Sequence, residues 1–212
     1  MYVPSFNRVD DRDDIAAFIH AHGFATLITH GPDGSCASHL PVLFDQDATG
    51  LGRLRSHMAR ANGQWRHLES GEEVLCIFHG PHAYISPSWY VMQRTVPTWN
   101  YATAHVYGVP TIVDATALQK IVYDTTDKYE SGMPNPWKNP LTDAEIGAML
   151  KAIVGFSIEI TCVEVKFKLG QNRSTEDQES MLQALQGAPD CASQELAQFI
   201  IAQHKIGPKT VT

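Results

Sequence analysis

The segment SHMARANGQW, Ser56 to Trp65, gathers residue types that hold an anion. Arg60 offers a planar fork of donors matched to phosphate, Ser56 and Asn62 add neutral donors, and free backbone N–H groups at the start of a following helix or turn favour negative charge. A plainer reading also suits these residues, with Arg60 as a surface side chain and Asn62 as a helix cap. Upstream, Ser38-His39-Leu40-Pro41 alternates polar and apolar groups and ends at a proline that cannot donate to a ladder. His39 there either faces a pocket or lies half-buried against a backbone carbonyl.

Other chemistries find little support. There is no G-x-S-x-G elbow, no Cys-His nucleophile signature, no G-x-G-x-x-G and no G-x-x-x-x-G-K-[ST]. His20 and His22 are two apart and diverge on a helix, while His79 and His82 flank an expected Gly-Pro turn without a nearby Cys or carboxylate cluster, so no metal is expected. Cys36, Cys76, Cys162 and Cys191 are dispersed, with no C-x-x-C pair, and read as structural thiols in a reducing, cytoplasmic setting.

The elements that must position these residues are short strands with helices between them. DDRDDIAAFIHAHG reads as a helix, with acidic residues at its positive end and Ile15, Phe18 and Ile19 on one face. FATLITH (24–30), SHLPVLFD (38–45), GRLRSHM (52–58) and EEVLCIF (72–78) read as strands joined by turn-rich GPDG and DQDATGLG. ARANGQWRHLESG interrupts them as a short helix or turn. Further strand-forming runs cover Val96 to Val113 and residues 154–169. Six or more strands without a βαβ rhythm predict an antiparallel barrel, mainly β with peripheral helices, in the α+β class.

The helical gaps are ATALQKIVYDTTDKY, LTDAEIGAMLKAI with a Thr142/Glu145 capping box, and the apolar tail SQELAQFIIAQHKIG. One domain over 1–212 is expected, with a helical extension from about 174. Four of the seven Tyr and two of the four Trp fall between Pro81 and Gly108, and core packing is the commoner use of such surface.

The composition is that of a globular protein, with 43% apolar and 18% charged residues in 212. A net charge of -7 opposes a polyanion, and no helix-turn-helix with a basic second member is legible, so direct nucleic-acid binding is not expected. No run approaches the roughly 20 apolar residues of a membrane helix.

Taken in order, YVPSF, SHLP, HMARANGQW, GPHAYISPSWY, VPTWNY, VYG and KFKLGQNR resemble the PaiB-type FMN-binding family, also described as FMN-binding negative transcriptional regulators. The resemblance runs from Tyr2 to about Asn172. It implies a flavin-type split β-barrel, similar to pyridoxamine-phosphate-oxidase-like proteins, that forms a homodimer with FMN at the subunit interface. Carried over by residue, it implies Ser38 and His39 on the strand under the flavin, and Ser56, His57, Arg60 and Asn62 around its phosphate and ribityl chain. It also implies Trp99 near the ring or the dimer seam, and Gln171 and Asn172 near the cofactor from the final strand.

His39 and His57 would be the groups able to bring positive charge near the ring. No catalytic acid or base is identified. Gly63 stands where the family more often has Pro, which loosens the helix start, and Gly170 where Ser is usual, which removes a hydroxyl. Three functions follow from the resemblance: FMN binding with flavin-dependent oxidoreductase activity, repression of transcription with flavin as ligand, and haem binding through a histidine such as His204.

Overall fold

In the computed structural model, which describes residues 1–48, 50–92 and 94–203, strands and helices follow in the order β1 (Arg8–Val9), α1 (Arg12–Ala21), β2 (Phe24–Gly31), β3 (Gly34–Pro41), β4 (Leu43–Asp45), β5 (Arg53–Ala59), β6 (Val74–Ile85), β7 (Thr98–Ile112), α2 (Ala115–Glu130), α3 (Asp143–Leu150), β8 (Ile153–Lys168), α4 (Thr175–Gly187) and α5 (Cys191–Gln203). The strands form an eight-stranded sheet in the order β3-β2-β6-β7-β8-β5-β4, with β1 paired to β8. The pairs β1–β8, β2–β3, β2–β6, β4–β5 and β5–β8 are antiparallel. The α+β class expected from the strand rhythm is the one observed.

The residues cluster into two compact units. One comprises Asp11–Phe78 and Ala104–Val163, the other Met1–Asp10, His79–Thr103 and the chain from Glu164 onward.

In the first unit, the Asp11 carboxylate accepts from the N–H groups of Asp13 and Asp14 and so starts α1, which buries Phe18 and Ile19. The β2–β3 hairpin pairs Phe24 with Pro41 at one end and Gly31 with Gly34 at the other, so Pro32 and Asp33 make its two-residue turn. Residues alternate along β2, with Ala25, Leu27 and Thr29 buried and Phe24 and His30 exposed. Leu27, Leu54, Phe78, Ile121, Phe156 and Ile158 are among its most buried side chains. Each such side chain contributes about 1.5–3 kcal/mol relative to exposure. The Thr142/Glu145 capping box forms as read, opening α3.

Two local expectations change. SHLPVLFD is two strands rather than one: Pro41 has no N–H, and Val42 donates instead to the Gly23 carbonyl at 2.7 Å, which ends β3 and lets β4 begin. Gly80-Pro81 is not a turn, because β6 continues through it to Ile85.

In the second unit, Arg8 and Val9 of β1 pair with Lys166 and Val165. Helices α4 and α5 pack together and bury Met181, Leu185, Leu196, Ala197 and Ile200. No helix among the described residues is long and apolar enough to cross a membrane.

Candidate functional site

Alternation along β5 decides how the expected anion-binding residues divide. Leu54, Ser56 and Met58 are buried, whereas Arg55 and His57 project to the other face and are half-buried. Ser56 and His57 therefore line opposite sides of one strand. The Ser56 hydroxyl donates to the Pro41 carbonyl at 2.7 Å. His57 lies across from Gly155 of β8, and its Nδ1 is buried with no hydrogen-bond partner among the described residues. Burial holds the His57 imidazole below the ordinary histidine range, so it is neutral at pH 7. The positive charge expected from it is disfavoured there, because burial removes an imidazolium from water.

Asn62 has the cap role. Its side-chain oxygen accepts from the Gln64 N–H at 3.1 Å and opens a 3-10 helix over Gly63–Ser70, while its amide donates to Ser38 Oγ at 2.8 Å. Two residues expected at the cofactor, 24 positions apart, are thus in direct contact. Arg60 turns elsewhere: its Nε donates to the Lys151 carbonyl at 2.9 Å and its Nη2 to the Ile153 carbonyl at 3.0 Å.

Asn62 also lines a cavity of about 1040 Å³, together with Gly63, Gln64, Arg66 and His67. The spacing of a 3-10 helix explains this wall, since side chains three apart eclipse: Gly63 falls beside Arg66, and Gln64 beside His67. Sequence reading missed Arg66 and His67, and the three-residue repeat from Gly63 and Gln64, the first residues after the Asn62 cap, was the signal for them. Gln64 is buried, and its Nε2 faces the Leu27 carbonyl, Thr29 Oγ1 and the Cys36 carbonyl at 3.1–3.2 Å. Those acceptors orient the amide, and its Oε1 is left buried without a partner among the described residues. His67 Nδ1 meets Thr29 Oγ1 at 2.9 Å, and the ring lies so close over Gly31 that an added Cβ would meet Nε2 at 2.3 Å. The Arg66 guanidinium lies over the Trp65 ring at 4.9 Å and makes no ion pair among the described residues.

His39 faces the other side of its hairpin from Ser38. Its Nδ1 meets Thr26 Oγ1 at 3.0 Å and its ring stacks near Phe24, which is 64% exposed. Neighbouring positions on this face are the half-buried Ile28, Leu75 and Ile77, placed by the β2–β6 register.

The remaining expected residues belong to the second unit. Trp99 is 53% exposed and contacts His82 and Tyr84. Gln171 is turned onto its own chain, where its Oε1 accepts from the Leu169 N–H at 2.8 Å and its Nε2 donates to the Phe167 carbonyl. Asn172 lines a separate cavity of about 370 Å³. His204 lies outside the described residues.

Residues 1–162 match the family described as "Putative FMN-binding domain". The chain is 34% identical over 202 residues to the Bacillus subtilis "Protease synthase and sporulation protein PAI 2", covering 94% of this chain and 96% of that protein. Among solved structures, the flavocytochrome Anf3 from Azotobacter vinelandii superposes with a TM-score of 0.62 at 14% identity, over 84% of this chain and 78% of that one. The FAD and heme binding protein from Mycobacterium smegmatis superposes with a TM-score of 0.61 at 14% identity, over 82% and 79%. These two establish likeness of fold, and the fold class is the antiparallel split barrel expected from the motifs. By the match over most of its length, the chain belongs to the FMN-binding domain family of PAI 2.

Proposed function

We propose that the protein binds FMN, with the phosphate end taken by the segment Asn62–His67. The observation that carries this reading is the Asn62–Ser38 hydrogen bond at the edge of the 1040 Å³ cavity, which joins two separately expected cofactor residues. The residues present suit such a ligand. Arg66 offers a guanidinium with no acid partner among the described residues, suited to a phosphate, and Gln64 Oε1 is a buried acceptor awaiting a donor. The volume lies near the upper end of the ~300–1,000 Å³ typical of small-molecule sites.

Bound FMN would supply electron or hydride transfer at its ring. The chain's own contribution is positional. Asn62 is locked by its two hydrogen bonds, His57 is biased by burial toward its neutral form and can exchange a hydrogen bond, and His39 engages Thr26 through Nδ1. Flavin-dependent oxidoreductase activity is the enzymatic form of this reading.

Titration of the purified protein with FMN, followed by flavin fluorescence, tests it. Saturation at micromolar FMN is expected, and Arg66→Ala should weaken FMN far more than riboflavin, which lacks the phosphate. No saturable binding by wild type overturns the proposal, and equal losses for both ligands remove Arg66 from the phosphate.

Homodimerisation is part of the same reading, on the face that exposes Phe24 beside Ile28, Leu75 and Ile77. Sedimentation should give a dimer at micromolar concentration that Phe24→Glu converts to a monomer. The free thiols among the described residues fit a cytoplasmic location.

A regulatory role is the second reading, favoured by the 34% identity to PAI 2. With a charge of -7 it would act through protein partners or flavin sensing. A salt-sensitive shift of a defined DNA site would instead establish direct operator contact.

A further inference from the structure

We propose that the 370 Å³ cavity of the second unit is a binding site for a small planar organic acid, distinct from the flavin site. Three cations line it, Lys166, Lys168 and Arg173, and no carboxylate does among the described residues. None of the three forms an ion pair among the described residues. Lys166 is 8% exposed. A positive cluster with one member buried is unfavourable unless an anion compensates it, and here only neutral groups do so. Lys166 donates to the Tyr2 carbonyl at 3.1 Å, and Lys168 to Thr98 Oγ1 at 2.6 Å and to the Trp99 carbonyl at 2.8 Å. Such a cluster in a chain of net charge -7 is a local feature, and what it lacks is an anion.

The walls define the rest of the ligand. The Lys166 ammonium lies 5.7 Å from the Tyr2 ring and 5.2 Å from the Tyr101 ring, and the Arg173 guanidinium 4.7 Å from the Tyr90 ring. Aromatic faces already paired with cations accept a flat conjugated ring, while the cations take its acid group. The volume is at the small end of the ~300–1,000 Å³ range for ligand pockets. None of the three cations lines the 1040 Å³ cavity, and the two cavities share no lining residue.

Calorimetric titration of the full chain with 2-naphthoate, and with uncharged 2-naphthalenemethanol as control, tests the site. Saturable binding of the acid is expected, with the alcohol at least about tenfold weaker, the scale of a lost charge-assisted hydrogen bond. Lys168→Met and Arg173→Gln should each weaken the acid by about tenfold or more. Because Lys168 also holds Thr98 and Trp99 and Arg173 bonds the Tyr90 hydroxyl, both variants are read alongside circular dichroism. Absence of saturable 2-naphthoate binding, equal affinity for acid and alcohol, or an unchanged Arg173→Gln variant would each overturn the proposal. The titration is then repeated in saturating FMN: unchanged affinity supports a separate site, and displacement by FMN overturns that separateness. As the first titration contains no flavin, its outcome stands whether or not the FMN reading does.

Discussion

Arg55 of β5 meets Asp124 of α2 at 2.6 Å, and the same guanidinium grips both carboxylate oxygens of Asp45 at 2.6 and 2.7 Å. One side chain, 15% exposed, thus ties a helix and a neighbouring strand to β5. Burial alone would raise the Asp45 pKa, but hydrogen bonds from Arg55 and Arg53 overcome it and hold the carboxyl below its usual range. Asp124 is likewise lowered, with hydrogen bonds from Lys120 and Arg55 outweighing desolvation.

Arg55→Met should therefore destabilise the fold by about 2–3 kcal/mol, between the ~0–1 of an exposed pair and the ~3–5 of breaking a buried one. Because these folded-state carboxyl pKa values are depressed, the associated stability is present above the unfolded value near 4 and is lost as pH falls through the folded values. Urea midpoints measured from pH 6 down to pH 2.5 should show that loss, and it should be smaller in Arg55→Met.

His57 gives a second pH dependence at higher pH. Its folded pKa lies below the unfolded value of about 6.5, so the unfolded chain binds a proton first and stability falls as pH drops below that value. His20 and His22 are lowered too, mainly by burial, and add to the slope. His57→Gln should flatten the decline between pH 7 and 5. An unchanged slope would show that His57 does not carry it.

Restoring proline at position 63 should stabilise the protein. Asn62 has φ -77° and ψ 105°, the extended geometry preferred before proline, and the Gly63 N–H makes no hydrogen bond among the described residues. Gly63→Pro should add about 0.4–1 kcal/mol, read as a raised denaturant midpoint. A lowered midpoint would mean the 3-10 helix cannot take the ring.

The other departure from the family pattern should behave in the opposite way. Gly170 has φ +89°, and a Cβ there would meet nothing nearer than Met181 at 3.4 Å, so the obstacle is backbone strain rather than space. Gly170→Ser should cost about 1–2 kcal/mol by thermal or urea unfolding. The glycine at the exit of β8 is a conformational requirement of this chain, whatever hydroxyl it forgoes.

Thiol labelling should separate the cysteines by burial. Desolvation pushes the Cys76 thiol up to about 12, so it is a neutral, enclosed thiol at pH 8, whereas Cys162 and Cys191 are exposed. Native labelling with a thiol reagent should modify Cys162 and Cys191 quickly and Cys76 only after denaturant is added, as mapped by peptide mass spectrometry.

Short-range information in the sequence determined most of the elements. Alternation marked β2 and β5, the Thr142/Glu145 pair marked α3, and Asp11 marked the start of α1, because capping and side-chain period depend on residues within one turn or one pleat of each other. Asn62 was legible as a cap for the same reason. Its bond to Ser38 required the tertiary structure, as did the turning of Arg60 toward Lys151 and Ile153, since those partners lie 24 to 93 positions away. The split of Ser56 from His57 follows from strand pleat alone, yet which face of β5 was buried was decided by pairing with β4 and β8. Nothing in KFKLGQNR by itself places Lys166, Lys168 and Arg173 around one cavity. Only folding brought Tyr2, Tyr90 and Tyr101 around them with no carboxylate among the described residues, because a cavity's charge is a sum over distant segments that no local pattern records.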